Sequence, residues 1–225
     1  MSNDPKLDVL ATDHQDLPAG PFSSWLRRIR SAEAKDRGID VPCGDCTACC
    51  RSSYFIDIGP EETGTLARIP KELQFPAPGK PGGNVVLGFD EHGCCPMLVD
   101  AKCSIYAHRP LTCRSYDCRI FAATGIALTE DDKALVTQHT QRWRFSYPSK
   151  RDRDQHAALK TAAMFLHEHP ECLRGEEADN STELALRAME IYDVFLTDHG
   201  KSSPPTDGEV VNAVMRAKQK FDGTT

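Results

Sequence analysis

Residues 43–50 read CGDCTACC: four cysteines in eight positions, three of them at every third place and the last two adjacent. The chain has ten cysteines, and nine of them (43, 46, 49, 50, 94, 95, 103, 113 and 118) fall in one 76-residue window; only Cys172 lies outside. The N-terminus, MSNDPKLDVLATDHQD, has neither the charged start nor the apolar stretch of a signal peptide, so a cytoplasmic location is expected. In a reducing compartment this density of sulfur points to metal or redox chemistry and away from a disulfide framework.

The spacing narrows the chemistry. Cys43-x-x-Cys46 sets two sulfurs within reach of one ion, and Cys49 extends this to three ligands from one loop. That is the arrangement of bacterial ferredoxins, whose remaining cysteine is followed by proline, as Cys95 is by Pro96. Structural zinc more often uses two separated C-x-x-C pairs, and the distal sulfurs here do not form one. A thiol-rich, histidine-poor set excludes magnesium and calcium. An iron–sulfur cluster is favoured, with Zn2+ next and copper(I) behind.

These residues resemble a known family. CGDCTACC followed by CCPMLVDAKCSIYAHRPLTCR is similar to the YkgJ-type cysteine-cluster proteins, the CxxCxxCC family described as zinc- or iron-chelating. Its pattern is matched by Cys43, Cys46, Cys49 and Cys50, by Cys95-Pro96, and by Cys103, Ile105, Tyr106, Arg109, Pro110, Cys113 and Arg114. The resemblance covers roughly residues 41–121 and implies seven metal-binding thiols. Cys118 is the preferred eighth, on the expectation that it shares a helix with Cys113; Cys94 is balanced between ligand and bystander. Eight thiols suffice for two four-sulfur sites, or for one site with reactive thiols beside it. Arg109 and Arg114 flank the sulfurs and are expected to serve the cofactor by offsetting the charge of bound thiolates. Tyr106 is read as core, Cys172 as packing or exposed, His92 and His108 as fallback ligands, and the histidines of HEHP (167–170) as surface.

The expected fold class is α+β, mostly helical, with a small antiparallel β meander inside a cysteine-rich, metal-bound core. Three regions follow: a polar N-terminus and helical arm (1–40), the CxxCxxCC core (41–121), and a C-terminal helical region packed on it (122–225). Residues 1–20 look loosely ordered. PFSSWLRRIRSAEAKDRG reads as a helix capped by Ser23 or Ser24, with Trp25, Leu26 and Ile29 inward. GPEETGTLARIP reads as a short helix, QFPAPGKPGG as a loop, and NVVLGF, CPMLV and KCSIY as the strands of the meander. Four more helices are expected: one from a capping Thr129 through QRWRF, one in SKRDRDQHAALKTAAMFLHEHP, one from Ser181 to Gly200, and one in GEVVNAVMRAKQKF.

Charge and hydropathy exclude other classes. Residues 1–120 carry 14 basic and 16 acidic side chains, residues 121–225 carry 13 and 17, and the net charge is −6. The basic footprint of a nucleic-acid binder is absent, and no apolar run is long enough for a membrane helix. A protein partner is open. Three functions compete: a metal centre with a structural or redox role; an enzyme, because the same cysteine motif occurs in a flagellin lysine-N-methylase that uses S-adenosylmethionine; and metal chelation and delivery. Whether the chain is an enzyme stays open at this level.

Overall fold

The computed structural model describes residues 15–33, 38, 39, 41, 43–128, 133–173, 180–196 and 205–222. Its first element is a strand, β1 (Leu17–Pro21), where the polar sequence suggests loose order; residues 1–14 lie outside the described residues. The strand runs straight into α1 (Phe22–Glu33), so Ser23 and Ser24 sit inside the first turn and do not cap it. The Ser23 N–H finds its acceptor in the Asp152 carboxylate, 2.8 Å away. Trp25, Leu26 and Ile29 are buried, as a 3.6-residue period requires.

The central third contains β2 (Ile56–Ile58), α2 (Thr63–Leu66), β3 (Phe75–Pro76), β4 (Val85–Leu87), β5 (Leu98–Val99) and β6 (Lys102–Cys103). A single meander is not formed. β4 pairs antiparallel with β2 on one side and β3 on the other, while β5 and β6 make a separate hairpin. The proline-rich stretch thus supplies β3, an edge strand where Pro76 removes no interior ladder bond. Asp100 and Ala101 turn the hairpin with φ of 49° and 57°, the paired left-handed geometry of a two-residue connection.

Cys113 and Cys118 do not share a helix. α3 (Leu111–Ser115) ends, Tyr116 is extended at ψ 103°, and α4 (Arg119–Thr124) begins afresh. The break lets Asp117 turn inward to meet Trp25 and Arg119. α5 (Ala134–Thr140) stops before Trp143, and QRWRF does not prolong it: Trp143 opens β7 (Trp143–Ser146), which lies parallel to β1. Thr129, the expected cap, lies outside the described residues.

α6 (Lys150–Glu168) carries a capping box in which Ser149 and Asp152 satisfy each other's backbone N–H groups. α7 (Ser181–Ile191) is capped by Asn180, one residue before the expected serine, and continues as a 3-10 turn over Tyr192–Phe195. Gly200 lies outside the described residues, and α8 (Asp207–Asp222) follows. The result is an α+β fold, mostly helical, in which no described helix is long and apolar enough to cross a membrane.

Two hydrophobic cores result. The larger draws on α1, α4, α5, α6, α7 and α8, with alanines at 158, 162, 163, 185 and 188 letting helices approach closely. The smaller has only Ile58, Ile69, Leu87 and Ile105 fully inside, beneath the three-stranded sheet.

A buried ion pair ties the first core to the cysteine region. Arg119 Nη2 and Nε meet Asp117 Oδ2 and Oδ1 at 2.6 and 2.8 Å, and Trp25 Nε1 donates to Oδ2 at 2.9 Å. Asp117→Ala leaves Arg119 buried and unpaired. It is expected to cost about 3–5 kcal/mol, a fall of roughly 10 °C in Tm by calorimetry.

His156 offers a second test. It is 8% exposed, stacks on Phe22 at 4.3 Å and meets the Tyr147 hydroxyl at 2.7 Å through Nδ1. Burial, then the Lys160 ammonium, lower its pKa to about 4. Above pH 6.5 both folded and unfolded chains hold it neutral. Between 6.5 and 4 only the unfolded chain takes up the proton, so stability falls with pH through that window and then levels off. Urea titrations across it should show His156→Phe missing about 2–3 kcal/mol of the wild-type decline.

Candidate metal centre

All ten cysteines are free thiols; Cys118 and Cys172 are buried and the others half-buried. The first loop is built for thiolate. The Cys46 N–H donates to the Cys43 carbonyl at 2.8 Å, closing a turn that aims the Ala48 N–H at the Cys46 sulfur. The same device recurs at Cys95, where the Met97 N–H approaches the sulfur across Pro96. These donors favour the ionised form, yet burial prevails and raises both thiols.

A short 3-10 turn, Cys49–Arg51, then sends consecutive cysteines into different surroundings. Cys49 packs against the larger core, which contains Cys118. Its thiol is pushed well up by burial first and then by the sulfurs of Cys118, Cys46, Cys43 and Cys50, in that order. Cys50 looks the other way. Its carbonyl accepts from the Cys95 N–H at 2.7 Å, and burial, followed by the sulfurs of Cys95 and Cys103 and then of Cys43 and Cys46, lifts its pKa to about 12. Cys95 and Cys103 pack against the smaller core, Cys103 lying opposite Leu98 in the β5–β6 hairpin.

The distal pair completes each neighbourhood. Cys113, on α3, is raised to about 12 by burial and then by Cys50, Cys95 and Cys103, with the Arg109 guanidinium opposing. Cys118 reaches about 12 through burial, while Trp143 Nε1 donates to its sulfur at 3.4 Å and favours the thiolate; Asp117, Cys46 and Cys43 oppose ionisation. Among the described residues, no three Cys, His, Asp or Glu side chains are gathered closely enough to hold an ion as they stand. The donor set nevertheless suits a thiophilic metal: eight sulfurs in two neighbourhoods, each with backbone or indole N–H groups turned toward sulfur.

The remaining sequence candidates divide. Arg109 is buried, its guanidinium 3.7 Å above the Tyr106 ring and close enough to Cys113 to favour that thiolate. Tyr106 is 43% exposed and so is a shelf for Arg109, contrary to its reading as core. Arg114 donates from Nε to the Arg109 carbonyl and lines an open cleft of about 590 Å3 with Gly38 and Glu61. Cys94 raises the neighbouring Cys95, and its own N–H is held by Asp90. His92 and His108 are exposed, His92 beside Glu91. His167 is exposed, His169 stacks on Phe165, and Cys172 is buried in packing.

Sequence reasoning missed four contributors. Trp143 and Arg142 come from β7 and the turn before it; Arg142 favours the Cys46 thiolate. Tyr54 and Tyr116 share a hydroxyl contact of 2.9 Å, and burial, with Cys49 next, raises the Tyr116 phenol. The only available signal was that one of two tryptophans stands beside arginines in QRWRF.

Residues 42–145 match the family model named CxxCxxCC, described as "Putative zinc- or iron-chelating domain". The matched segment runs past residue 121 and takes in Arg142 and Trp143. No curated protein and no solved structure matches the chain. A cysteine cluster of this spacing, with thiolate-directed donors around it, is what a metal-binding domain requires, and the match over residues 42–145 is to a family described in those terms.

Proposed function

We propose that the chain is a metal-binding protein with two neighbouring four-thiolate centres, Cys43/Cys46/Cys49/Cys118 and Cys50/Cys95/Cys103/Cys113. The observation that carries this reading is that Cys49 packs against the larger core and has Cys118 as its first sulfur neighbour, whereas adjacent Cys50 has Cys95 and Cys103, which pack against the smaller core, as its first two. In the first quartet three ligands come from C-x-x-C-x-x-C and one from afar, the pattern of a four-iron cluster, with Cys118 taking the distant place in preference to Cys95. Iron–sulfur is therefore the favoured cofactor there, with zinc the alternative. The role is structural and redox together. Four buried side chains are a meagre core for the lobe around the three-stranded sheet, and metal bonds supply what apolar burial lacks.

Anaerobic expression with both metals supplied tests this. Iron, acid-labile sulfide and zinc per chain are measured beside the visible spectrum. Cys118→Ser and Cys113→Ser are each expected to remove one centre and spare the other, whereas Cys94→Ser and Cys172→Ser keep both. If Cys118→Ser and Cys113→Ser abolish the same metal equivalents, the two-centre reading fails; metal-free wild type sinks it altogether.

Protons provide an independent readout. The thiols of Cys50, Cys113 and Cys118 stand near 12 and so are neutral at pH 7. Each must shed its proton on binding, so zinc titrated into anaerobic apoprotein should release about one proton per ligand, and apparent affinity should weaken as pH falls. Calorimetry in buffers of different ionisation enthalpy measures the count.

A further inference from the structure

Away from the cysteines, α1, α6 and the Tyr192–Phe195 turn enclose a pocket of about 390 Å3. Arg27 and Arg30 reach it from α1, Arg151 from the first turn of α6, and Gln155 and Tyr192 form its inner wall. Among the described residues no acidic side chain lines it, although the chain as a whole is acidic. Asp152, the nearest carboxylate in sequence, is committed elsewhere: Oδ1 accepts from the Ser23 N–H, and Oδ2 accepts from the Ser149 N–H and hydroxyl. Arg27 and Arg151 make no ion pair among the described residues. Three arginines, two of them exposed, thus line one pocket, an arrangement that suits a bound anion.

The inner wall adds a second, independent feature. Tyr192 Oη accepts from Arg30 Nη1 at 3.2 Å and from Gln155 Nε2 at 3.4 Å, which leaves its own O–H to donate. Arg30 is braced over the Tyr192 ring, Cζ to centroid 5.2 Å. Gln155 is 7% exposed, and its Oε1 has no hydrogen-bond partner. Shielded that closely, Oε1 makes no contact inside the pocket, and the Tyr192 O–H is the neutral donor on this wall. The pocket therefore asks for an oxyanion.

We propose that this pocket binds a soluble phosphate monoester. Its phosphate, close to a dianion at neutral pH, is held by Arg27, Arg30 and Arg151, with the Tyr192 O–H beside them. Arginine suits the task because its planar fork matches phosphate oxygens two at a time. The site stands apart from the metal centres and does not depend on how they are read.

Calorimetric titration of the metal-loaded full chain with glycerol phosphate tests the proposal, with glycerol and sodium chloride as blanks. Wild type should bind glycerol phosphate saturably and ignore both blanks. Arg27→Gln/Arg151→Gln should weaken binding about tenfold or more. Arg28→Gln, on the same helix but outside the pocket, should change it less than twofold, with metal content and circular dichroism unaltered in each variant. Absence of saturable binding up to millimolar concentration overturns the proposal. So does a loss with Arg28→Gln as large as that of the double variant, which would mean general charge attraction and no site.

Discussion

The Asp117–Arg119 pair is the joint on which the rest of the structure turns. Its two residues flank Cys118, so the charge pair that fixes their side chains also fixes the direction of the sulfur between them. Trp25 holds Asp117 from α1, and Trp143 holds the Cys118 sulfur from β7 while lying 5.7 Å from the Arg119 guanidinium. Burying two charges is costly unless every lone pair and proton is matched. Here Asp117 takes four donors, its neighbour's backbone N–H among them, so the cost is offset and the geometry has little freedom. The helical core and the thiol cluster thus share a wall, and neither can shift without the other.

That joint explains what was legible in the sequence. Local signals were read well: the C-x-x-C-x-x-C-C run, the α6 stripe of Ala158, Leu159, Ala162, Ala163 and Leu166, and the inward face of α1 all follow from spacing alone. Interactions between distant segments were not. Periodicity across RPLTCRSYDCRIF suits one helix, and only the inward demand of Asp117, answered from a helix ninety-two residues earlier, breaks it at Tyr116. Likewise the pairing of β1 with β7 joins Leu17 to Trp143, so neither strand has a local partner to reveal it. NVVLGF was correctly a strand, but its partners are Ile56–Ile58 and Phe75–Pro76, and the latter was hidden in a stretch whose prolines argue for loop.

The candidate site was legible in kind and not in allocation. Eight of the sulfurs could be named from spacing and resemblance, and Cys118 was chosen for a helix it does not share with Cys113. What brings it to Cys43, Cys46 and Cys49 is the Trp143 donor and the packing of Cys49 and Cys118 in one core. A sequence pattern records which residues are near along the chain; division into neighbourhoods is a property of the two cores.

Charge gives the arrangement its remaining logic. On the proposed reading each tetrathiolate centre, loaded with a divalent ion, would keep a net negative charge, and the two would meet at the Cys49–Cys50 peptide. Their mutual repulsion in a partly buried setting is not negligible. Among the described residues a guanidinium acts on each neighbourhood: Arg142 on Cys46 in the first, Arg109 on Cys113 in the second. Arg109 is buried and stacked, hence nearly fixed, whereas Arg142 reaches the Gln15 carbonyl at the surface. The first neighbourhood has an indole N–H on sulfur in addition, so its compensation rests on dipoles as well as charge. Dipoles fixed by the fold stabilise a thiolate without cancelling its charge, and a centre built that way tolerates a change of one electron better than one whose neutrality depends on a single cation. On the two-centre reading proposed above, this asymmetry would make the first neighbourhood the redox-active one and the second, beside the small core, the structural one.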